Sequence, residues 1–449
     1  MKRIIALSLC ITLVLLTISC SSNLNDHTTD IKQDEITILI KDFDFLDIKT
    51  IFKTIYNYSE RFEKETGIKV NFDVISGNNA DDYYKKMNTK LYLEEGPTLI
   101  YISYISTYKE YIDQGIALNA KGKITNFTKV YDSLLDDGNY FVPIGMIHWV
   151  AALNRCAFDK LEIDEPKLNW TREDYIKINE KWLKGKLEHF NKWVYIEKVS
   201  FLVEDLKILD KSNKKVSLNN SKVIQYINDI REEILFSGKY IINKEYTYEN
   251  YYNVIFKKDS AEYNASRDLH RSCDNENLRK FWIGKNGLKS LEMTECLNLK
   301  DIIVLPNVIN FETNQLDTFG FIINKNGKNI DLGMKFINEL LSDEIQLEMY
   351  LTEKNSLYPV NKDIENEIET IEKEKNSNEK AIALRKYILQ QIKNGNYKHN
   401  SNSRIIEEVK DMIYKDFAKY IFADKAYTDE ELSRELEKLE YKYNMWLNE

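Results

Sequence analysis

Two aspartates directly follow the first short apolar segment after residue 34. Asp42 and Asp44 stand in "ILIKDFDF", just beyond the strand candidate Ile36–Ile40. A nucleophilic aspartate and a second aspartate at this spacing, both at the end of a strand, could hold Mg²⁺ and transfer a phosphoryl group. Such a site has threonine or valine where Phe45 stands, and Lys41 interrupts the apolar run. The competing interpretation is a ligand-facing loop, whose carboxylates accept hydrogen bonds from hydroxyl or ammonium groups.

Motifs for other common chemistries are missing from the sequence. No two of its five histidines are three or four residues apart, so the zinc-binding helix motif does not occur. These histidines are His27, His148, His189, His270 and His399. The sequence also has no CxxC pair, no G-x-S-x-G, no P-loop and no G-x-G-x-x-G. Apart from the phosphoryl-transfer alternative at Asp42 and Asp44, it therefore predicts no metal, no cofactor and no enzyme activity.

Aromatic residues give the stronger signal for binding. They make up 12% of the chain, with 29 tyrosines and six tryptophans. Flat rings stack on the faces of sugars, and each ring can bury on the order of 150 to 250 Å². The alternative is that most of these rings pack in the core or on helix surfaces.

The chain begins with a short apolar segment that ends at a cysteine. Ile4–Ile18 is shorter than the roughly 20 residues of a bilayer-spanning helix, and two basic residues precede it. It is typical of a signal peptide. The pair Ser19 and Cys20 resembles the lipobox of bacterial lipoproteins, in which the cysteine sulfur is lipidated, although Thr17 stands where leucine is usual. The alternative is an ordinary secretory signal with a chance cysteine.

This segment predicts a signal peptide at residues 1–19, a polar and flexible tether at 20–35, and a lipid anchor at Cys20 on the extracellular face of the cell membrane. Cleavage would remove two of the 63 basic residues, leaving 61 against 72 acidic ones and a net charge of about −11. Nucleic acid is a poor partner for such a chain. Anionic headgroups repel it too, so attachment must come from the lipid.

The remaining cysteines do not suggest a disulfide framework. Cys156, Cys273 and Cys296 are an odd number without paired spacing. Buried thiols are the simpler interpretation, and one pair among the three could still form a bridge.

From residue 35 the sequence alternates between strand and helix patterns. "ITILI" is an apolar strand candidate, and apolar residues then recur at helical spacing up to Phe62, before Gly67. Every second residue from Ile68 to Val74 is apolar, as in a strand with one buried face. A helix over Asp81–Glu95, a third strand and a short helix ending at Gly115 complete a βαβαβα pattern. Such a pattern predicts a parallel sheet with helices on both faces, which binds ligands beyond the carboxyl ends of its strands.

Local signals also mark helices later in the chain. "TRED" at 171–174 and "TDEE" at 428–431 both place a threonine three residues before a carboxylate, as in a capping box. Ile364, Ile368 and Ile371 give an apolar stripe to a highly charged stretch, which predicts an amphipathic helix.

Several segments together resemble the extracellular solute-binding proteins of bacterial ABC importers, in the carbohydrate-type family 1. They are "SERFEKETGIKV" at 59–70, the stretch 81–120 ending in "GIALNA", "YFVPIGMIHWVAALNRCAFDKLEIDEPKLNWTREDY" at 140–175, the stretch 318–364 from "TFGFIINKNG" to "LYPVNKDI", and the tail 427–449. The resemblance covers most of 36–449 and is weakest at 183–254. It implies an α/β, periplasmic-binding-protein-like fold: two lobes with central sheets flanked by helices, joined by three crossing segments.

The resemblance also implies where these parts lie. Lobe one would hold 36–143 and 308–356, and lobe two 144–307 and 357–449. The crossing segments would be Pro143–Ala152, Val304–Ile309 and Leu357–Asn361. A small solute, expected to be a sugar or oligosaccharide, would be trapped between the lobes of a monomer and delivered to the permease subunits of an ABC transporter. The alternative is a ligand-sensing or cell-envelope interaction lipoprotein with the same fold; neighbouring permease or histidine kinase genes would separate the two.

The ligand-binding residues are predicted from the strand ends and the crossing segments, because the walls of such a cleft are the loops at the carboxyl ends of strands. Core packing would explain Trp149 and Phe319 equally well. The predicted residues are Phe43, Asp44, Asn78, Asp81, Tyr104, Trp149, Ser266, Arg267, Thr318 and Phe319.

Overall fold

The computed structural model describes residues 34–78, 80–103, 108–185, 206, 208–210, 213–236, 247–265, 282–288, 302–308, 315–352, 357–374, 379–399 and 404–448. Its strands are β1 Glu35–Lys41, β2 Lys69–Ile75, β3 Leu99–Ile102, β4 Phe141–Asn154, β5 Leu209–Asp210, β6 Lys215–Val216, β7 Trp282–Leu288, β8 Ile302–Pro306, β9 Gln315–Ile323, β10 Tyr358–Pro359 and β11 Lys398–His399.

The α-helices alternate with these strands in the first part of the chain and dominate its end. They are α1 Asp42–Thr50, α2 Lys53–Thr66, α3 Ala80–Leu91, α4 Lys109–Asp113, α5 Arg155–Lys160, α6 Arg172–Gly185, α7 Ser221–Phe236, α8 Tyr248–Phe256, α9 Ile330–Leu340, α10 Asp343–Thr352, α11 Glu365–Glu374, α12 Glu379–Lys393, α13 Arg404–Ile421 and α14 Asp429–Asn448. In the part of the chain described here, no helix is both long and apolar enough to cross a membrane.

The predicted parallel start of the sheet is present. β1 pairs in parallel with β2 and with β3, and the sheet order is β10-β4-β9-β3-β1-β2. Gly67 ends α2 as predicted, with φ +73° and its N–H donated to Glu63 O at 2.9 Å. Val74 is 38% exposed, although its spacing predicts a buried face, because β2 is the edge of the sheet.

One long strand joins two parts of the molecule. The first half of β4 pairs with β9 and β10, and its second half pairs with β7 and β8. The predicted first crossing, Pro143–Ala152, lies inside this strand. The predicted second crossing begins in β8, which pairs antiparallel with β4 from Ile302 to Pro306.

The described residues form four hydrophobic cores. Core A lies on one face of the sheet under α2 and α9, and core B lies on the other face beside α3 and α4. Core C packs α5 and α6 against the second half of β4 and β8. Core D joins the β5–β6 hairpin to α7, α8, α13 and α14.

The segment 357–393 packs in core A. Leu357, Ile368 and Ile388 are buried there, and β10 pairs with Gly145 and Met146 of β4. The apolar stripe of α11 is therefore present, but it faces the first part of the sheet. The later helices α13 and α14 pack in core D, together with α7 and α8. The predicted lobe boundaries, including the assignment of 357–449 to lobe two, remain a prediction.

A buried ion pair fastens α11 to α12. The guanidinium of Arg385 pairs with the carboxylate of Glu372, and both side chains are at least 95% buried. Tyr350 OH donates to Glu372 Oε1 at 2.6 Å, and the guanidinium lies 5.8 Å from the ring centroid of Tyr358. The pair thus links the α11–α12 hairpin to α10 and β10.

Candidate functional site

The carboxyl ends of β1 and β3 bring a buried carboxylate to the edge of the sheet. Asp44 is 2% exposed in the first turn of α1, which begins directly after β1. Ser103, which follows β3, hydrogen bonds to its carboxylate. Asp44 Oδ2 is buried, and within the described part of the chain it has no hydrogen-bond partner. A buried acceptor of this kind is costly unless a ligand or water completes it.

The charge state of Asp44 is set mainly by burial. Burial raises its pKa to about 6, although the Lys41 ammonium and the Ser103 hydrogen bond act in the opposite direction. Burial likewise lowers the pKa of Lys41, while the charges of Asp44 and Glu110 raise it. Lys41 and Asp44 are therefore two partly desolvated groups of opposite charge at this end of the sheet, and the charge of each shifts the pKa of the other.

An aromatic pair lies beside these charges. The rings of Phe43 and Tyr83 meet edge to face, with centroids 5.6 Å apart. Lys41 Nζ is 5.7 Å from the Phe43 centroid and 6.0 Å from that of Tyr83. Gly77, after β2, passes so close that a Cβ there would lie 2.9 Å from the Tyr83 ring. The loops after β1 and β2 therefore meet around Tyr83.

Asp42 holds Tyr83 in place. Its Oδ1 accepts hydrogen bonds from Tyr83 OH at 2.5 Å and from the Phe43 N–H at 2.8 Å. The Tyr83 bond, followed by one from Ser76, lowers the pKa of Asp42. The two aspartates of "KDFDF" thus differ: Asp42 is partly exposed and hydrogen bonds to a tyrosine, whereas Asp44 is a buried acceptor.

The structure brings together some of the predicted site residues. Phe43 is partly exposed beside Tyr83, and Asp44 lies one residue further on. Asn78 is exposed, and its N–H donates to Asp82 Oδ2 at 3.1 Å. Tyr104, Ser266 and Arg267 lie outside the described residues, as do the side chains of Asp81 and Trp149.

Two predicted residues are buried in the sheet. Thr318 is 2% exposed in β9, opposite Met146. Phe319 is fully buried and stacks on Phe52 at 5.6 Å, and its ring fills the space above Gly145. Core packing, the alternative noted from sequence, accounts for Phe319.

Three contributors to the site were not predicted as binding residues. Lys41 was noted only as an interruption of the apolar strand. A charged residue at the end of an apolar strand was the signal that could have indicated a site residue. Tyr83 lies on α3, beyond the loop where the prediction placed the wall. Ser103 follows β3 and stands one residue before the predicted Tyr104.

The arrangement is suited to hydrogen bonding. It combines a buried carboxylate, hydroxyls and partly exposed rings, a combination that suits a polyhydroxylated or cationic ligand. Among the described residues, no three or more His, Cys, Asp or Glu side chains are grouped to hold a metal ion. Asp42 is already bonded to a tyrosine and to the backbone, so the geometry favours ligand binding over the phosphoryl-transfer alternative.

Solved structures share this fold. They include an ABC substrate-binding protein from Listeria monocytogenes in complex with cycloalternan, with 15% identity, a TM-score of 0.53 and coverage of 92% of this chain and 98% of that one. The sugar-binding protein MalE from Xanthomonas citri has 11% identity, a TM-score of 0.57 and coverage of 92% and 97%. A solute-binding protein from Thermotoga lettingae, bound with α-D-tagatose, has 14% identity and a TM-score of 0.53, and the match covers 92% of this chain and 100% of that one.

These likenesses confirm the predicted periplasmic-binding-protein-like α/β fold over nearly the whole chain. No protein-family model matches the sequence, and no curated protein matches it. At such low identities the likeness establishes the fold, and the function has to be argued from the site.

Proposed function

We propose that this protein is an extracellular solute-binding protein that captures a sugar or oligosaccharide between two lobes and delivers it to the permease of an ABC transporter. The observation that carries the proposal is Asp44, a buried carboxylate at the carboxyl ends of the strands, whose Oδ2 accepts no hydrogen bond from the residues that the structure describes. A sugar hydroxyl can donate such a bond. The similar structures support this choice, because their solved complexes hold cycloalternan and α-D-tagatose.

Binding rather than catalysis is the proposed mechanism. A solute that touches both lobes at once stabilises the closed state, since the open state offers only one set of contacts. The partly exposed rings of Phe43 and Tyr83 provide a stacking surface beside Asp44. A micromolar dissociation constant corresponds to about −8 kcal/mol, which a few stacked rings and several hydrogen bonds can supply.

A ligand screen tests the substrate class. Thermal unfolding should be measured with monosaccharides, oligosaccharides, polyols and short peptides, each in excess. We expect at least one sugar to raise the melting temperature, because a ligand that binds only the folded state stabilises it by mass action. A response to peptides alone would contradict the carbohydrate assignment.

We also propose that Cys20 carries the lipid that holds the protein at the outer face of the membrane; this residue lies outside the described part of the structure. Cys20→Ala should abolish lipid-dependent processing and release the protein from the membrane fraction, as should globomycin treatment of the wild type. Cys10→Ala is the matched control and should leave processing unchanged. If the Cys20→Ala protein stays in the membrane with unchanged gel mobility, the anchor is elsewhere.

A further inference from the structure

An ion pair joins two parts of the chain that have separate hydrophobic cores. Lys214 Nζ, directly before β6, lies 4.0 Å from Oδ2 of Asp113, the last residue of α4. The α4 helix packs in core B through Tyr111, whereas the β5–β6 hairpin packs in core D through Leu209 and Val216. We call this contact the cross-core pair. Because each element is anchored in its own core, the pair can separate without disturbing either core.

The cross-core pair lies beside the candidate solute site. Burial lowers the pKa of Lys41, while the charges of Asp44 and of Glu110 in α4 raise it. Burial raises the pKa of Tyr111, also in α4, and neighbouring negative charges that include Asp44 raise it further. The α4 helix therefore borders the buried carboxylate of the site. Asp113 comes about one turn after Glu110, so the pair is at the rim of this site.

The hairpin that carries the lysine is held firmly to α14. The Val216 N–H donates to Asn444 Oδ1 at 2.7 Å, and Asn444 Nδ2 donates to Val216 O at 2.9 Å. Glu440 Oε2 accepts hydrogen bonds from the N–H of Leu218 at 2.7 Å and from that of Asn219 at 3.0 Å. The hairpin is thus a rigid extension of core D.

The backbone also fixes the position of the lysine. Lys214 has φ +47°, a left-handed conformation that glycine adopts at lower cost. Asn213, just before it, donates its N–H and its Nδ2 to the two carboxylate oxygens of Asp210, at 3.0 and 2.8 Å. The cation is therefore presented to α4 from a turn whose geometry is held by local hydrogen bonds.

We propose that the cross-core pair favours the closed arrangement of the two proposed lobes around Asp44. This inference rests on the proposed function, in which the solute lies between lobes that close. Opening would move the hairpin away from α4 and break the pair, so the pair stabilises the closed state without touching the solute. A protein whose binding-competent state is more populated has a higher apparent affinity for its ligand.

Carbodiimide coupling tests the contact without any solute, because the reagent joins an amine to a carboxylate that lies against it. Peptide mass spectrometry of the treated wild type should find Asp113 linked to Lys214. The link between Lys442 and Asp416, which are 3.3 Å apart within core D, is the internal control. Lys215→Gln changes the neighbouring exposed lysine and should keep both links.

Sugar affinity tests the effect on closure, by calorimetry with the sugar that raises the melting temperature most. Lys214→Gln should bind about two- to fivefold more weakly than the wild type, the range for an exposed ion pair. Lys214→Glu should bind more weakly still, because it repels Asp113. The double variant Asp113→Lys with Lys214→Glu should recover most of the loss, since it reverses both charges. Lys215→Gln is the matched control and should bind as the wild type does.

The outcomes separate this inference from the proposed function. If the wild type forms the control link but no link between Asp113 and Lys214, with or without sugar, the inference is wrong. Equal sugar affinity in the wild type, Lys214→Glu and the double variant would also overturn it. If no sugar binds the wild type, the proposed function fails, and small-angle X-ray scattering without sugar decides the inference. The radius of gyration should then be larger for Lys214→Glu than for the wild type and the double variant, and equal values would contradict the inference.

Discussion

Asp44→Asn is expected to make the protein more stable relative to the wild type as the pH rises from about 4 to 7.5. The folded-state pKa of Asp44 is raised from 3.8 to about 6, so its stabilising contribution is complete below the unfolded-state pKa and is lost as the pH passes the folded-state value. Asparagine does not titrate. The difference in free energy of unfolding between variant and wild type should therefore shift by roughly 2 to 3 kcal/mol over this range.

Asp42→Asn is the matched control and should behave in the opposite way. Hydrogen bonds from Tyr83 and Ser76 lower the pKa of Asp42, so its contribution is present above the unfolded-state pKa and is lost as the pH falls. Urea unfolding at a series of pH values measures both variants. If Asp44→Asn and the wild type show the same pH dependence, Asp44 is not a desolvated carboxylate.

The same variant should also weaken sugar binding. A hydrogen bond to a charged acceptor contributes about 1.5 to 3 kcal/mol, so the affinity of Asp44→Asn should fall roughly 10- to 150-fold. A substitution that raises stability at neutral pH and lowers affinity is the signature of a residue kept for function. Unchanged affinity would remove Asp44 from the binding site.

Arg385→Met should destabilise the protein by about 3 to 5 kcal/mol. Removing the guanidinium leaves the buried carboxylate of Glu372 without its cation, and such broken pairs cost this much. The double variant Arg385→Met with Glu372→Leu should recover most of the loss, because it removes both buried charges together.

Lys386→Met is the control for this pair. Lys386 is next to Arg385, but it is half exposed and pairs with Glu369 on the surface, so its loss should cost less than about 1 kcal/mol. Chemical unfolding of the three variants gives the comparison. If the single Arg385 variant is as stable as the wild type, or if the double variant is no better than the single, the pair does not fasten α11 to α12.

Local patterns in the sequence predicted much of the fold. The period-2 and period-3.6 signals located β1 to β3 and α2, and both capping boxes form: the Asp174 N–H donates to Thr171 Oγ1 at 3.2 Å, as does the Glu431 N–H to Thr428 Oγ1. These features depend on residues close in sequence, so a single sequence contains them.

Features that depend on distant residues were missed. α1 begins directly at Asp42, where a loop was predicted, and its apolar residues show no clear face, so nothing local indicates that Asp44 is buried. The pairing of β10 with β4 and the ion pair between Arg385 and Glu372 are set by tertiary packing, and no local pattern in the sequence predicts them. Phe319 stands in a strand pattern, but the sequence does not show which face of that strand is buried. In the structure its ring stacks on Phe52, which is distant in sequence.

The central claim is that a solute binds between two lobes and draws them together. Small-angle X-ray scattering tests it most directly, with the sugar that raises the melting temperature most compared with no sugar. We expect the radius of gyration of the wild type to fall at saturating sugar, and that of Asp44→Asn to fall less at a sugar concentration just sufficient to saturate the wild type. A radius of gyration that is unchanged while calorimetry shows the wild type saturated would contradict closure around the solute.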